Sequence, residues 1–279
     1  MTMAEYTING KAIYTPKGAA LEYGRVGCNF YTGCPHDCEY CYLKRGVIGS
    51  ALGGTEVKLK KCFKNEVDAL EIFCKEARKH IEYIRNNGGI FFSFTTDPLI
   101  AETIDLTISA MNFCIYNSIP VLVLTKDAEF IHNDRMKLFL KSEPATRFVS
   151  FGFTLTGRDD MEKGAPKNMD RIEAMRELYT MGFRTFASIE PIVDWESSKR
   201  VIEASLGVCN HYKIGLRSGV KKDYYNDEES VSYIRKFKAL IADNNRTVYF
   251  KNSVRRLLEG THSLDLLNGT LDMDGNLIS

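Results

Sequence analysis

Short apolar runs of strand length alternate with amphipathic stretches of helix length along most of the chain. Strand-like runs are read at 21–27, 90–94, 121–124, 147–155, 184–189, 211–216 and 247–250. Helical spacing is read between them at 66–87, 103–116, 134–141, 168–180, 197–205 and 230–244. In 66–87, Val67, Leu70, Phe73, Ala77, Ile81 and Ile84 recur at intervals of three and four, one face of a helix with 3.6 residues per turn. Gly88 and Gly89 then stop it, because glycine enters the left-handed backbone that closes a helix. About six β/α units in series imply a parallel sheet with right-handed crossovers. That number of units suits a full or partial barrel, whose reactive residues sit at the C-terminal ends of the strands. A chain of 279 residues buries a core without disulfides or a metal to staple it. With no Pro/Gly/Ser linker, repeat or low-complexity segment, the expectation is a single domain over 1–279. Its core runs over about 20–250, and the less periodic tail, about 251–279, forms a C-terminal cap.

The charges nearly cancel: 37 Lys and Arg against 36 Asp and Glu, net +1. A basic grip on nucleic acid over the whole surface is therefore excluded, although a local patch is not. Lys58, Lys60, Lys61 and Lys64 form such a run, with Lys221–Lys222 and Arg255–Arg256 elsewhere. These clusters can hold phosphates, or be ordinary solvated faces. No apolar run approaches the 18 residues of a membrane span, and 1–16 has no apolar h-region, so a cytoplasmic location is expected. In that compartment thiols stay reduced. Eight cysteines (28, 34, 38, 41, 62, 74, 114 and 209) then point to metal binding or catalysis before disulfides.

The clustering lies in Gly33-Cys34-Pro35-His36-Asp37-Cys38-Glu39-Tyr40-Cys41-Tyr42, a Cys-x3-Cys-x2-Cys spacing. Three soft thiolates on one tight loop can hold three irons of a cubane cluster and leave the fourth iron open for a ligand. A structural zinc site wants four protein ligands, usually as two Cys-x2-Cys pairs. Here the fourth would have to be Cys28 or His36, and no second pair follows.

A Cys-x3-Cys-x2-Cys loop after a first strand, with Tyr40 between the last two cysteines, resembles the radical S-adenosylmethionine (SAM) superfamily. The resemblance implies an α/β fold, a full or partial (β/α)6-type TIM-like barrel. It also implies that Cys34, Cys38 and Cys41 bind a [4Fe-4S] cluster whose open iron is chelated by the amino and carboxylate groups of SAM. One electron, from a reductant such as flavodoxin or ferredoxin, would cleave SAM to methionine and a 5′-deoxyadenosyl radical that abstracts hydrogen from a substrate. Cys28-Asn29-Phe30-Tyr31-Thr32-Gly33-Cys34 and Cys41-Tyr42-Leu43-Lys44-Arg45 look like the spore photoproduct lyase-like, or DNA repair photolyase-like, branch. So do Thr96-Asp97-Pro98, Leu124-Thr125-Lys126, and Ala165-Pro166 followed by Arg171. That branch makes nucleic acid one candidate substrate. Spore photoproduct lyase keeps a cysteine just before its Thr-x-Asp segment, whereas Phe94 stands there in this chain, so the familiar lesion repair is not expected. Three readings stay open: an enzyme on nucleic acid, of lyase or transferase class; one on a small molecule, peptide or RNA; and a non-catalytic Fe–S or zinc binding module.

The same resemblance suggests cofactor-binding residues. Tyr40 belongs to the motif itself, and Thr95, Thr96 and Asp97 end the second strand, where relatives with Gly-Gly-Glu meet the SAM amino group. Asp97-Pro98 also reads as a plain strand-end turn. Lys126 ends the third strand and can pair with the SAM carboxylate, or be a solvated lysine. Thr154 lies near the end of the fourth strand, and Glu190 ends the fifth, with Pro191 taking the chain out of it. Arg217-Ser218-Gly219 ends the sixth. Gly53-Gly54 and Gly88-Gly89 lack phosphate-loop spacing and read as turns. The cysteines at 62, 74, 114 and 209 read as small buried hydrophobes.

Overall fold

The computed structural model describes residues 6–45, 49, 52–221 and 223–278. The chain divides into two compact units, Met1–Pro35 with Leu43–Ser150, and His36–Tyr42 with Phe151–Ser279.

In the first unit the sheet runs β1 (Ile13–Tyr14), β2 (Gly27–Cys28), β5 (Ile90–Phe92), β6 (Val121–Thr125). β1 is antiparallel to β2, and the others are parallel, with Cys28 opposite Phe92 and Phe92 opposite Val123. A separate hairpin pairs β3 (Tyr31–Thr32) with β4 (Lys58–Leu59). The helices are α1 (Glu66–Lys79), α2 (Ile81–Asn86), α3 (Ile104–Tyr116), α4 (Asp134–Leu140) and α5 (Glu143–Phe148). α1 starts where Asn65 accepts the Asp68 N–H at 2.9 Å, satisfying a donor that a helix start leaves open, and it has Arg78 and Lys79 in its last turn, matching the helix dipole. Its buried face carries Ala69, Phe73 and Ala77. Parallel strands covered by helices are buried on both faces, which is why β5 is apolar throughout.

The second unit continues the alternation. β7 (Val149–Thr154) runs into it from the first unit and is followed by α6 (Asn168–Thr180), β8 (Arg184–Ile192), α7 (Trp195–Ser205), β9 (His211–Leu216), α8 (Asp227–Asp243), β10 (Thr247–Phe250) and α9 (Asn252–Gly260). Its sheet order is β7-β8-β9-β10, parallel from β8 to β10. Each strand leads into a helix and each helix into the next parallel strand, the expected α/β pattern of a partial (β/α) barrel.

Several boundaries differ from the sequence reading. The strand expected at 21–27 is a 3-10 turn at Gly18–Glu22 and a two-residue strand, Gly27–Cys28. The helix read at 66–87 is two, broken at His80. The strand read from 147 begins at Val149, because Pro144, placed in the first turn where its missing N–H costs nothing, opens a helix over Glu143–Phe148. β8 does not end at Glu190. It continues to Ile192 through a register shift between Ile189 and Ile192, and that irregularity accommodates Pro191.

Candidate cofactor site

The cysteine loop is shaped by contacts on both sides of its first cysteine. Gly33 has φ 82°, and a Cβ there would run into the Glu56 carbonyl, so the position needs glycine. Next to it, Cys34 N–H donates to the Gly54 carbonyl at 2.9 Å. This gives the Gly53-Gly54 turn a purpose that its spacing alone does not reveal. In the second unit, Gly164 N–H donates to the His36 carbonyl at 3.1 Å and Glu39 N–H to the Met161 carbonyl at 2.9 Å. Cys41 N–H closes a turn on the Cys38 carbonyl at 3.2 Å. Cys38 and Tyr40 are buried against Met161 and Val193, with Cys41 packed on the same cluster. None of Cys34, Cys38 and Cys41 is tied up in a disulfide. Cys34 belongs to the first unit, Cys38 and Cys41 to the second. Within neither unit, among the described residues, do three His, Cys, Asp or Glu side chains converge as a ready-made metal site.

Behind this loop lies a buried polar network. The Tyr40 hydroxyl donates to Glu162 Oε1, and burial together with that carboxylate holds its phenol well above the usual range. Glu162 Oε2 pairs with Arg171 at 2.9 Å, with both side chains fully buried. Arg171 Nε donates to the Pro166 carbonyl and Nη1 to the Thr154 carbonyl, each at 2.9 Å. Asn168 Nδ2 donates to Glu162 Oε2 at 3.3 Å and to Asp159 at 2.5 Å. Its Oδ1 accepts from Thr156 and Gly157 N–H at 2.9 and 3.1 Å. Arg171 was legible in the sequence only as part of a short motif, and Glu162 and Asn168 not at all. Nothing local distinguishes them from surface residues before the fold buries them.

In the first unit the turn after β5 holds Thr95, Thr96 and Asp97. Asp97 Oδ1 accepts from Thr125 Oγ1 at 2.7 Å and from Leu99 N–H at 3.0 Å, and Oδ2 from Lys126 N–H at 2.7 Å. Its carboxylate thus binds the ends of two adjacent parallel strands together. Thr95 Oγ1 donates to the Tyr31 carbonyl at 2.6 Å. Thr96 Oγ1 is buried and has no hydrogen-bond partner, a rare state for a hydroxyl and one that a bound ligand would relieve. Lys126 follows β6 directly.

In the second unit Thr154 is the last, buried residue of β7. Glu190 accepts from Lys251 Nζ at 2.5 Å. Lys251 is 1% exposed and immediately follows β10, so a residue inside β8 and one just past β10, 61 residues apart, share one ion pair. A Cβ on Gly215 would meet the Glu190 carboxylate at 2.6 Å, so a larger residue there in β9 would displace that side chain. Lys251 was missed in the sequence because a lone lysine beside a short strand carries no signal. Arg217, just past β9, has a buried Nε with no hydrogen-bond partner, while its N–H donates to Tyr225 Oη at 2.7 Å.

The other cysteines fall into two groups. Cys28, Cys114 and Cys209 are fully buried. Burial pushes the Cys28 and Cys114 thiols far up and that of Cys209 up to about 12, so all three stay protonated and poor as metal ligands. Burial raises Cys74 as well, although it is half-buried, and Cys62 is exposed, contrary to the expectation of a buried thiol. The basic run is partly absorbed by structure: Lys58 pairs with Glu56 at 2.6 Å, and Lys60 Nζ donates to the Lys11 carbonyl at 2.6 Å. Lys222 lies outside the described residues. Among the described residues no helix is long and apolar enough to cross a membrane.

A comparison with protein-family models found no match. The uncharacterized protein MJ0683 of Methanocaldococcus jannaschii is 28% identical over 170 residues, which is 59% of this chain and 59% of that protein. Among solved structures, the chain is similar to Streptococcus suis SuiB bound to S-adenosylmethionine, with a TM-score of 0.54 at 14% identity, over 86% of this chain and 49% of SuiB. SuiB bound to its precursor peptide SuiA gives 0.53 at 13% identity, over 84% and 49%. At such identity the likeness is one of fold, and the chain spans about half the length of SuiB.

Proposed function

We propose that this chain is a radical SAM enzyme in which Cys34, Cys38 and Cys41 hold a [4Fe-4S] cluster. The observation that carries the reading is the Cys-x3-Cys-x2-Cys loop, none of whose cysteines is in a disulfide and which lies on a fold similar to that of a protein solved with SAM bound. The donor set fits, because three soft thiolates suit iron–sulfur ligation and leave one iron open. The buried, unpartnered hydroxyl of Thr96 fits a polar ligand at the end of β5. When bound, the cluster and SAM supply a one-electron reductive cleavage that yields a hydrogen-abstracting radical.

The chain's own residues bind and orient. Lys126 offers a cation to the SAM carboxylate, and Thr96 offers a hydroxyl to its polar head, beside Thr95 and Asp97. Thr154 takes the end of β7 and Glu190 lies near the end of β8, where Lys251 holds its carboxylate. Tyr40 sits within the ligand loop. A flavodoxin- or ferredoxin-type reductant would deliver the electron. For the hydrogen donor, a peptide is favoured over nucleic acid by two observations: the near-zero net charge, and the likeness to a protein solved with a precursor peptide bound.

Anaerobic reconstitution tests the reading. The expected result is about four irons per chain, the stoichiometry of the cluster type, with 5′-deoxyadenosine formed from SAM under a reductant. Cys34→Ala abolishes iron uptake, while Cys28→Ala, a buried strand residue, keeps it. A loaded sample that binds no SAM and makes no deoxyadenosine refutes the enzyme reading. Equal iron loss in both variants refutes the ligand set.

A further inference from the structure

We infer that Glu162 and Arg171, acting through Tyr40, are positioning residues that hold the Cys38–Cys41 segment in one shape before metal arrives; this rests on the cluster reading above. The segment 36–42 is fastened to 159–171 by backbone contacts of Gly164 with His36 and Glu39 with Met161, by the His36 ring against the Gly164 carbonyl at 3.2 Å, and by an exposed Lys163–Glu39 ion pair at 3.1 Å. The contact of Tyr40 with Glu162 differs in kind because it ends on a fully buried ion pair.

A buried ion pair is a poor way to gain stability, since taking two charges out of water costs as much as their attraction returns. Well-packed apolar side chains would fill the same volume at least as well. What the pair does supply is direction. A carboxylate that accepts from two donors and is paired with a guanidinium, itself bonded to two carbonyls, has few other arrangements open to it. Tyr40 stands between two of the cysteines, so fixing its hydroxyl fixes the middle of the segment that carries them. At its other end the network grips the Thr154 carbonyl, the last residue of β7, and through Asn168 the N–H groups of Thr156 and Gly157. The loop is thereby referred to a sheet strand and not merely to other loops. Holding ligands in place beforehand removes the ordering cost from the binding step. The Ala165-Pro166…Arg171 motif then has a role: Pro166 supplies one of the two carbonyls that orient the guanidinium.

The test uses the full chain and two variants. Tyr40→Phe deletes only the hydroxyl. Glu162→Gln/Arg171→Met removes both charges together, so that neither is left buried alone. Hydrogen exchange over 36–42 is measured in the metal-free protein, and chelator extraction of iron in the reconstituted protein, with thermal melting as the control for folding. Tyr40→Phe is expected to speed both exchange and extraction about tenfold, the ratio that ~1.4 kcal/mol of lost anchoring gives. The double variant is expected to do at least as much. If the wild type loads iron and Tyr40→Phe leaves either rate unchanged, the positioning inference is overturned and the cluster reading stands. If the wild type takes up no iron, the cluster reading is overturned and the ligand role of this segment falls with it, whatever the exchange rates.

Discussion

The Glu162–Arg171 pair lends itself to a double-mutant cycle on the metal-free protein. Each side chain is fully buried, and the charged atoms are 2.9 Å apart. Arg171→Met leaves the Glu162 carboxylate with the Tyr40 hydroxyl and the Asn168 amide as its remaining donors. Glu162→Gln leaves the guanidinium with the carbonyls of Pro166 and Thr154. In both cases a charge stays out of water without an opposite charge, and removing one partner of such a pair costs about 3–5 kcal/mol. At ~2–4 °C per kcal/mol for a chain of this size class, each single variant should melt ~6–20 °C lower. The double variant loses both charges at once. It forfeits the guanidinium's bonds to two carbonyls, worth ~1 kcal/mol each net, but it escapes the unpaired-charge term that dominates each single change. It should therefore be less destabilised than either single variant, with a coupling energy of about 3 kcal/mol or more. Urea denaturation gives the free energies and calorimetry the melting points. Single variants that cost under ~1 kcal/mol, or a double variant equal to the sum of the singles, would show that the two charges are not desolvated together as this structure has them.

Other outcomes follow from single positions. Gly33→Ala should destabilise by at least ~1–2 kcal/mol from its left-handed backbone alone, and more because the Glu56 carbonyl must move. A melting point equal to wild type would mean that the turn before Cys34 is not held as described. Thr96→Val removes a buried hydroxyl that has no partner, so stability of the ligand-free protein should hold or rise, while SAM affinity in the reconstituted protein should fall about tenfold or more, ~1.4 kcal/mol per lost hydrogen bond. Unchanged affinity by calorimetric titration removes Thr96 from the site. His211 gives a pH test. Burial, helped by the charge of Lys213, lowers its imidazole to about 3. Between about 6.5 and 3 the unfolded chain therefore carries a proton that the folded one does not, and stability falls as pH drops through that window. The slope is at most ~1.4 kcal/mol per pH unit, and less because the ring keeps some contact with solvent. Urea midpoints of wild type and His211→Asn that run parallel from pH 7 to 4 would contradict this.

Much of the architecture was legible in the order of residues, because it depends on local periodicity. The helix over Asn168–Thr180 and the strands over His211–Leu216 and Thr247–Phe250 stand where the pattern puts them. The cysteine loop was legible for the same reason, since its chemistry is carried by spacing within eight residues. Errors arose where two local signals competed. The apolar run at 147–155 hid a helix end, and Pro191 looked like a strand terminus although a register shift keeps it inside β8. Local order also left open what each polar side chain would meet. Asp97 is a clamp between strand ends, Glu190 meets Lys251, and Tyr40 meets a carboxylate 122 residues away. A charged residue reads alike in sequence whether it faces water or an opposite charge in a dry interior. Only burial and long-range contact, which exist once the chain has folded, separate the two.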